Sequence, residues 1–393
     1  MNALYPRLAS AVILVLLVAS SHWVATLDNG RQLSFSLLAG AAFGVVLQRG
    51  RFCFLCNFRD LVENRRSDGV LAILVALLVG VVFYQIVMMA WVPVPQPDRL
   101  PPNAHIGPVG PVLALASAVF GIGTALSGSC LSGHFYRLGE GAFGSSVAII
   151  GAAFGFLLAF LSWNTLYTVS VFDDVPVWLP YHLGYGAALF LALAILSGLI
   201  ATVLHLDKSG DTAPVQNSED RLKQAIKAIF VHRWPPVITG ILVAAISAFA
   251  YFRVMPLGVT AELGSIVRTA GTSGALLPET LAGLDTVRGW ISAIKTTVLS
   301  PNGVFVAGLI VASFASALVA GQFRPSWPSR SGVASRLLGG VLMGWGGMTA
   351  LGCTVGVLLS GIHAGALSGW IFLIFCGLGA AFGLYVKRRF RLA

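Results

Sequence analysis

Charge is scarce in this sequence: Asp, Glu, Lys and Arg make up 10% of its 393 residues, where soluble domains carry about a quarter. Apolar residues make up 56% and the mean hydropathy is +0.84. That much apolar surface cannot be hidden in a water-soluble core, which leaves a polytopic membrane protein. Cysteine is also sparse. The five cysteines are spread along the chain, three of them in apolar glycine-rich stretches, which excludes a disulfide framework and reads as free thiols. Nucleotide-binding motifs, G-x-S-x-G and carboxylate pairs in a cleft-forming pattern are missing, so ATP-driven transport by this chain alone is not expected. No cofactor is expected either.

The formal charge of +10 would point to nucleic acid in a soluble protein. Here the basic residues sit between apolar spans, the pattern of positive-inside loops, and no nucleic-acid partner is expected. The apolar run 9–19 behind Arg7 has no small-residue cleavage site, so it reads as a retained first helix. Spans are expected near 8–27, 33–48, 70–91, 111–128, 145–161, 183–204, 236–253, 303–321, 333–350 and 365–386. Four segments hold most of the Lys and Arg and are assigned to the cytoplasm. They are the loop with Arg49, Arg51, Arg59, Arg65 and Arg66, the stretch 205–235, the segment 322–336 and the tail with Lys387, Arg388, Arg389 and Arg391. The C-terminus is therefore cytoplasmic. The Pro-rich loop 92–110 and the acidic loop 162–182, with Asp173 and Asp174, face outward.

The stretch 121–141, GIGTALSGSCLSGHFYRLGEG, cannot be a plain helix, because each internal Gly costs roughly 1 kcal/mol against Ala. GWGGMTALGCTVG at 344–356 repeats it: one offset places Cys130 on Cys353, Gly121 on Gly344, Gly123 on Gly346 and Gly133 on Gly356. The charge assignment makes the two copies enter from opposite sides. The expected fold is therefore an all-α inverted-repeat transporter of about 9–10 spans with broken or re-entrant helices. Residues 1–206 form its N-terminal half (spans 1–6), 207–235 a cytoplasmic linker and 236–393 the inverted C-terminal half. Outer matches pair Gly44 and Gln48 with Gly258 and Glu262, and GAAFG at 151–155 with GAAFG at 379–383. The segment 254–302 is expected to hold a re-entrant or surface helix on the outer side.

A lone cysteine in a membrane helix is ordinarily packing. Two at matching breaks of inverted copies point to a path, because broken helices turn backbone N–H groups and positive helix ends toward an anion. The candidate pocket backbone is Gly128, Ser129 and Gly133 around Cys130, and Gly352, Thr354 and Gly356 around Cys353. Cys53 lies in QRGRFCFLCNFRD beside Cys56. A CxxC without a second Cys or His pair lacks the four ligands of a zinc site. Cys56 and Cys376 have no counterpart in the repeat and read as packing. His134, Arg137 and Glu140 divide evenly between function and an Arg137–Glu140 pair that fixes a turn; His363 divides similarly, and Gln48 is a further accessory candidate.

These three motifs, QRGRFCF with the following FRD, GSCLSGHFYRLGEG and GCTVGVLLSGIHAGALSGW, resemble the YeeE/YedE family of bacterial inner-membrane proteins, whose characterised branch takes up thiosulfate. The resemblance runs from about 35 to 386. It implies an hourglass-like inverted-repeat fold whose permeation path is marked by Cys353 toward the outside, Cys130 at the centre and Cys53 toward the cytoplasm, with a small cytosolic sulfurtransferase as partner. This chain departs from the family near the last cysteine. GWGGMTALGC lacks an arginine common near the Met-Thr positions, and Thr354 replaces a frequent asparagine, so a selenium species is an alternative cargo. Thiosulfate is a dianion with a polarisable terminal sulfur, and neutral thiols, weak donors that add no negative charge, suit its passage. The competing class is a membrane thiol oxidoreductase or sulfur transferase using Cys53 and Cys56 or a persulfide on Cys130.

Overall fold

Without a hydrophobic drive between helices inside lipid, close packing there depends on small residues, and glycine decides how the helices of this protein meet. A computed structural model describes residues 4–96, 99–207, 228, 230–285 and 293–390. Its helices are α1 (Leu4–Val24), α2 (Gly30–Gly50), α3 (Phe54–Asn64), α4 (Asp68–Trp91), α5 (Pro111–Ser127), α6 (Leu131–Gly139) and α7 (Gly144–Leu166), followed by α8 (Leu179–Leu206), α9 (Pro236–Arg253), α10 (Thr260–Ser273), α11 (Pro301–Val319), α12 (Arg330–Thr349), α13 (Thr354–His363) and α14 (Leu367–Arg389). Among the described residues nine segments are long and apolar enough to cross a membrane, and the bent pair α12–α13 makes ten. The protein is an all-α polytopic membrane protein.

Helix starts follow from the sequence. Proline occupies the first turn of α5, α8, α9 and α11, where its missing N–H costs nothing. Ser300 and Ser329 cap α11 and α12 by accepting from the N–H groups of Gly303 and Gly332 at 3.0 and 3.1 Å. The two glycine clusters break the chain as expected. Gly128 ends α5 at φ 90° and Leu351 follows α12 at φ 61°, and these left-handed residues correspond under the repeat offset. Beyond them α6 starts after Cys130, and α13 starts after Cys353 as a π-helical turn, bent 43° from α12.

The inversion lies in the packing of α5 on α12. A Cβ on Gly123 would strike the backbone at Gly339 and Met343, and one on Gly346 the backbone at Ala116 and Phe120. Early residues of one helix therefore meet late residues of the other, and the two half-helices run antiparallel. Shifting Gly123 by the repeat offset gives Gly346, and shifting Ala116 gives Gly339, so the two contacts are one contact seen twice. The other neighbours exchange in the same way. α2 packs on α11 as α9 packs on α4, α7 packs on α12 as α14 packs on α5, and α1 packs on α11 as α8 packs on α4.

Two outer sequence matches change. Gly44 and Gln48 lie inside α2, whereas Gly258 precedes α10 and Glu262 lies within it; α10 therefore corresponds to α3, and the short GVVLQ and GVTAE strings coincide only in small residues. The two GAAFG strings do occupy corresponding helices, α7 and α14, each pressed against the half-helix of the other copy, but five residues out of the repeat register. The segment 254–302 holds α10 and a run of turns. It is tied by a 2.5 Å Arg268–Asp285 ion pair and a Lys295–Glu262 ion pair; Arg288, like most of the expected linker, lies outside the described residues.

Candidate functional site

The chain after α2 does not leave the fold at once. Arg51 adopts φ 50°, turning Phe52 and Cys53 back into the protein before α3 starts, and Cys53 is fully buried as the residue preceding α3. This dip brings Cys53 Sγ to 3.7 Å from Cys130 Sγ and 3.3 Å from Ser129 Oγ. Cys130 Sγ also lies 3.4 Å from Ser132 Oγ. Gly133 makes the junction tight: a Cβ there would overlap Ser129 Oγ and come within 3.0 Å of Cys53 Sγ. Two thiols and two hydroxyls thus meet where α3 and α6 begin, at the positive ends of both helices.

Cys56, read from sequence as packing, belongs to this junction. One turn into α3, its Sγ lies 2.9 Å from Cys53 Sγ and receives the Arg137 guanidinium at 3.3 Å, while Arg137 also donates to the Gly128 carbonyl at 3.4 Å. All three thiols are free. Arg137 is therefore directed toward sulfur, and Glu140 takes its hydrogen bond from Gln48 Nε2 at 3.1 Å. Gln48 in turn accepts from Ser316 and Arg49 and donates to Gln322, joining α2, α6 and the end of α11.

Cys56, Arg137 and Glu140 form the floor and wall of a vestibule of about 520 Å³. Arg51, Arg59, Arg66, Arg233 and Arg324 line it further, against Asp60 and Asp68, so six guanidinium groups face three carboxyls. Burial also raises the Glu140 carboxyl above its ordinary range, which tilts the balance further toward positive. Such a mouth concentrates anions by its field.

Cys353 stands in a second group. Fully buried, its sulfur accepts from the Val355 N–H at 3.4 Å and lies near Thr260. Gly352 and Gly356 leave room beside it for a residue that the sequence did not single out, His105. The imidazole Nε2 lies 3.1 Å from the Leu351 carbonyl oxygen, and a Cβ on Gly352 would come within 2.9 Å of it. An apolar cavity of about 110 Å³ lined mainly by α3, α4 and α14 has Cys130, Thr354 and Cys376 in its wall. Of the accessory candidates, His134 lies behind the junction, in hydrogen-bond reach of the Ser129 backbone and with Nδ1 3.3 Å from Ser145 Oγ. His363 is wedged between α4 and α9, 3.0 Å from the Ala76 carbonyl and 3.5 Å from Ser247 Oγ.

Opposed half-helices, each ending in a backbone break with a cysteine, inside a multi-span helical fold with an arginine-lined mouth: this is the build of a membrane transport protein. The chain belongs to the Sulphur transport family, which matches residues 49–382. It is 26% identical over 373 residues to the thiosulfate transporter TsuA of Escherichia coli (strain K12), covering 91% of this chain and 96% of that protein. It is 27% identical over 366 residues to the thiosulfate transporter TsuA of Spirochaeta thermophila, covering 87% and 95%.

Proposed function

We propose that this protein takes up thiosulfate, or a closely related small sulfur-containing anion, across the bacterial inner membrane along a path lined by Cys353, Cys130 and Cys53. The observation that carries this reading is the Cys53–Cys130 approach of 3.7 Å at the head of an arginine-lined vestibule, and the names of the two relatives support the cargo. The vestibule face carries most of the arginines and is cytoplasmic, as is the C-terminus. The exposed apolar faces of α1 and α8 meet lipid.

A dianion cannot be held tightly and still leave, so transport needs several weak stations. Protonated thiols provide them: each S–H donates weakly, and none adds negative charge. The anion enters beside Cys353, is handed through Cys130 to Cys53, and leaves past Cys56, where the Arg137 guanidinium draws it into the vestibule. Backbone N–H groups at the starts of α6 and α13 supply most of the attraction within the membrane. A small sulfurtransferase at the vestibule mouth would consume the imported sulfur. The exchange of neighbours described above also supports a repeat of seven helices among the described residues, α1–α7 and α8–α14, that meet ahead of α8.

The test is uptake of labelled thiosulfate into vesicles containing the purified protein, with sulfate, sulfite and selenium oxyanions as competitors. Saturable uptake that thiosulfate outcompetes fits the proposal, and preference for a selenium species reassigns the cargo. Intact mass after turnover separates transport from thiol chemistry, since a persulfide or mixed disulfide adds mass and a hydrogen-bond relay does not.

A further inference from the structure

We infer that His105 is the gate on the face opposite the vestibule, a plug that must leave the Gly352–Gly356 notch before an anion can reach Cys353. The inference rests on the thiol-lined path proposed above.

The two ends of the path differ. At the vestibule end about 520 Å³ of open volume reaches Cys56. At the other end the voids on either side of His105 measure only about 10 and 20 Å³. A cavity needs about 10–15 Å³ to hold one water, so a multi-atom anion has no room there. What fills the space is the segment from Met255 to Ala261 together with the loop between α4 and α5, which is longer than its counterpart between α11 and α12. That shorter loop runs along the outside of the α6–α7 turn, with Arg324 N–H donating to the Glu140 carbonyl at 2.9 Å and Ser326 N–H to that of Gly141 at 2.9 Å, and it leaves the vestibule open. The longer loop turns inward and buries His105 to 5% exposure.

His105 is set against the broken helix itself. Its ring lies over Gly352, just before Cys353, and Gly356, three residues after it, with Nε2 within 3.4 Å of where a Cβ on Gly356 would sit. The carbonyl it meets belongs to Leu351, a non-glycine residue at φ 61°. That conformation costs about 1–2 kcal/mol for an L-residue, and strain of this kind persists where surrounding contacts enforce it. The loop is anchored just past the plug, with Gly107 N–H donating to Ser368 Oγ at 3.3 Å and Val109 N–H to the Val175 carbonyl at 3.3 Å. Before the plug, the nearest backbone tie runs from Ala104 N–H to the Pro101 carbonyl within the same loop. On that side the loop is held by packing, with Ala104 in a buried cluster with Tyr84, Val92 and Trp178, so release of the ring requires the 101–105 stretch to lift while the hydrogen-bonded 107–109 stretch stays fixed.

The test reads geometry and not transport. A membrane-impermeant methanethiosulfonate is applied to vesicles of either orientation holding the full-length protein, and peptide mapping follows the label on Cys353 and Cys56. In the unaltered protein Cys56 labels fast from the vestibule face, and Cys353 labels slowly from the opposite face. His105→Ala raises the Cys353 rate about tenfold, the change expected from losing one buried hydrogen bond at the upper end of its net worth. His105→Gln, which still reaches the Leu351 carbonyl, stays near the unaltered rate. An unchanged Cys353 rate in His105→Ala overturns the gate. If that variant does not fold, the unaltered protein still decides, because Cys353 labelling from the opposite face as fast as Cys56 labels from the vestibule also overturns it. Failure of purified protein to take up thiosulfate would remove the proposed cargo and leave these labelling rates as they are.

Discussion

Adding one methyl group at Gly133 separates the thiol junction from ordinary helix packing. In Gly133→Ala the new Cβ overlaps Ser129 Oγ, lies 3.0 Å from Cys53 Sγ and 3.4 Å from Cys130 Sγ. Ser129 relieves its overlap by turning a short side chain, but both sulfurs are held by helix starts and must part by a few tenths of an ångström. Overpacking of this kind costs about 1–3 kcal/mol, partly offset by the helix preference of Ala over Gly of up to about 1 kcal/mol. Net stability therefore falls by no more than about 3 kcal/mol, and by less where the helix preference of Ala is fully realised. Transport is more exposed, because the methyl occupies the space between two stations; a penalty of about 1.4 kcal/mol at that step is tenfold in rate. Labelled thiosulfate uptake into proteoliposomes should fall at least about tenfold by this reasoning, with a thermal melt close to that of the unaltered protein. Gly356→Ala, the repeat equivalent, meets only His105, at 3.4 Å, and should lose less. Wild-type uptake by folded Gly133→Ala would show that nothing passes between Cys53 and Cys130.

Cys130→Ala should abolish uptake in thiosulfate-limited cells while leaving expression and melting nearly unchanged, since only one sulfur is removed from the core. Cys56→Ala should impair uptake strongly because its sulfur joins Cys53 to Arg137, whereas Cys376→Ala, on the wall of the apolar cavity, should be tolerated; equal rates for the two would return Cys56 to packing. Arg137→Gln should slow uptake and flatten its dependence on ionic strength, because surface fields are screened within about 8–10 Å at physiological salt. Burial pushes the His105 imidazole down to about 4 from 6.5, so the unfolded chain binds its proton first as pH falls. Stability from this group is complete above about pH 6.5 and is lost progressively toward pH 4, which a melt series in detergent measures; a flat series would place the ring in water.

The parts of this protein that could be read in advance are those with local causes. Glycine density marked both breaks, and the offset between Cys130 and Cys353 carried α5, α6 and α7 onto α12, α13 and α14, because both copies solve the same packing problem at Gly123 and Gly346. The site was legible only where it coincided with those breaks. Cys56 looked like packing because its contacts with Cys53 and Arg137 depend on Arg51 reversing the chain and on Arg137 arriving from α6, which no spacing in the sequence encodes. His105 sits in a Pro-rich loop whose composition signals exposure, and only the notch left by Gly352 and Gly356 draws it inside. The matches around Gly258 misled for the opposite reason, since short strings of small residues recur in membrane helices without structural meaning.

On the seven-helix reading of the repeat, each copy passes through the bilayer an odd number of times, by way of α1, α2 with α3, α4, α5 with α6, and α7. A tandem duplication of an odd unit has no choice of orientation, because the second copy begins on the side where the first one finished. The antiparallel embrace of α5 and α12 is then a product of counting before it is a product of selection, and it hands the protein two mouths of opposite facing built from one plan. What was left to diverge were the pieces laid over each mouth, a long inward-turning loop on one side and a ring of guanidinium groups on the other. The asymmetry between the two faces of such a molecule is written into its coverings and not into its core.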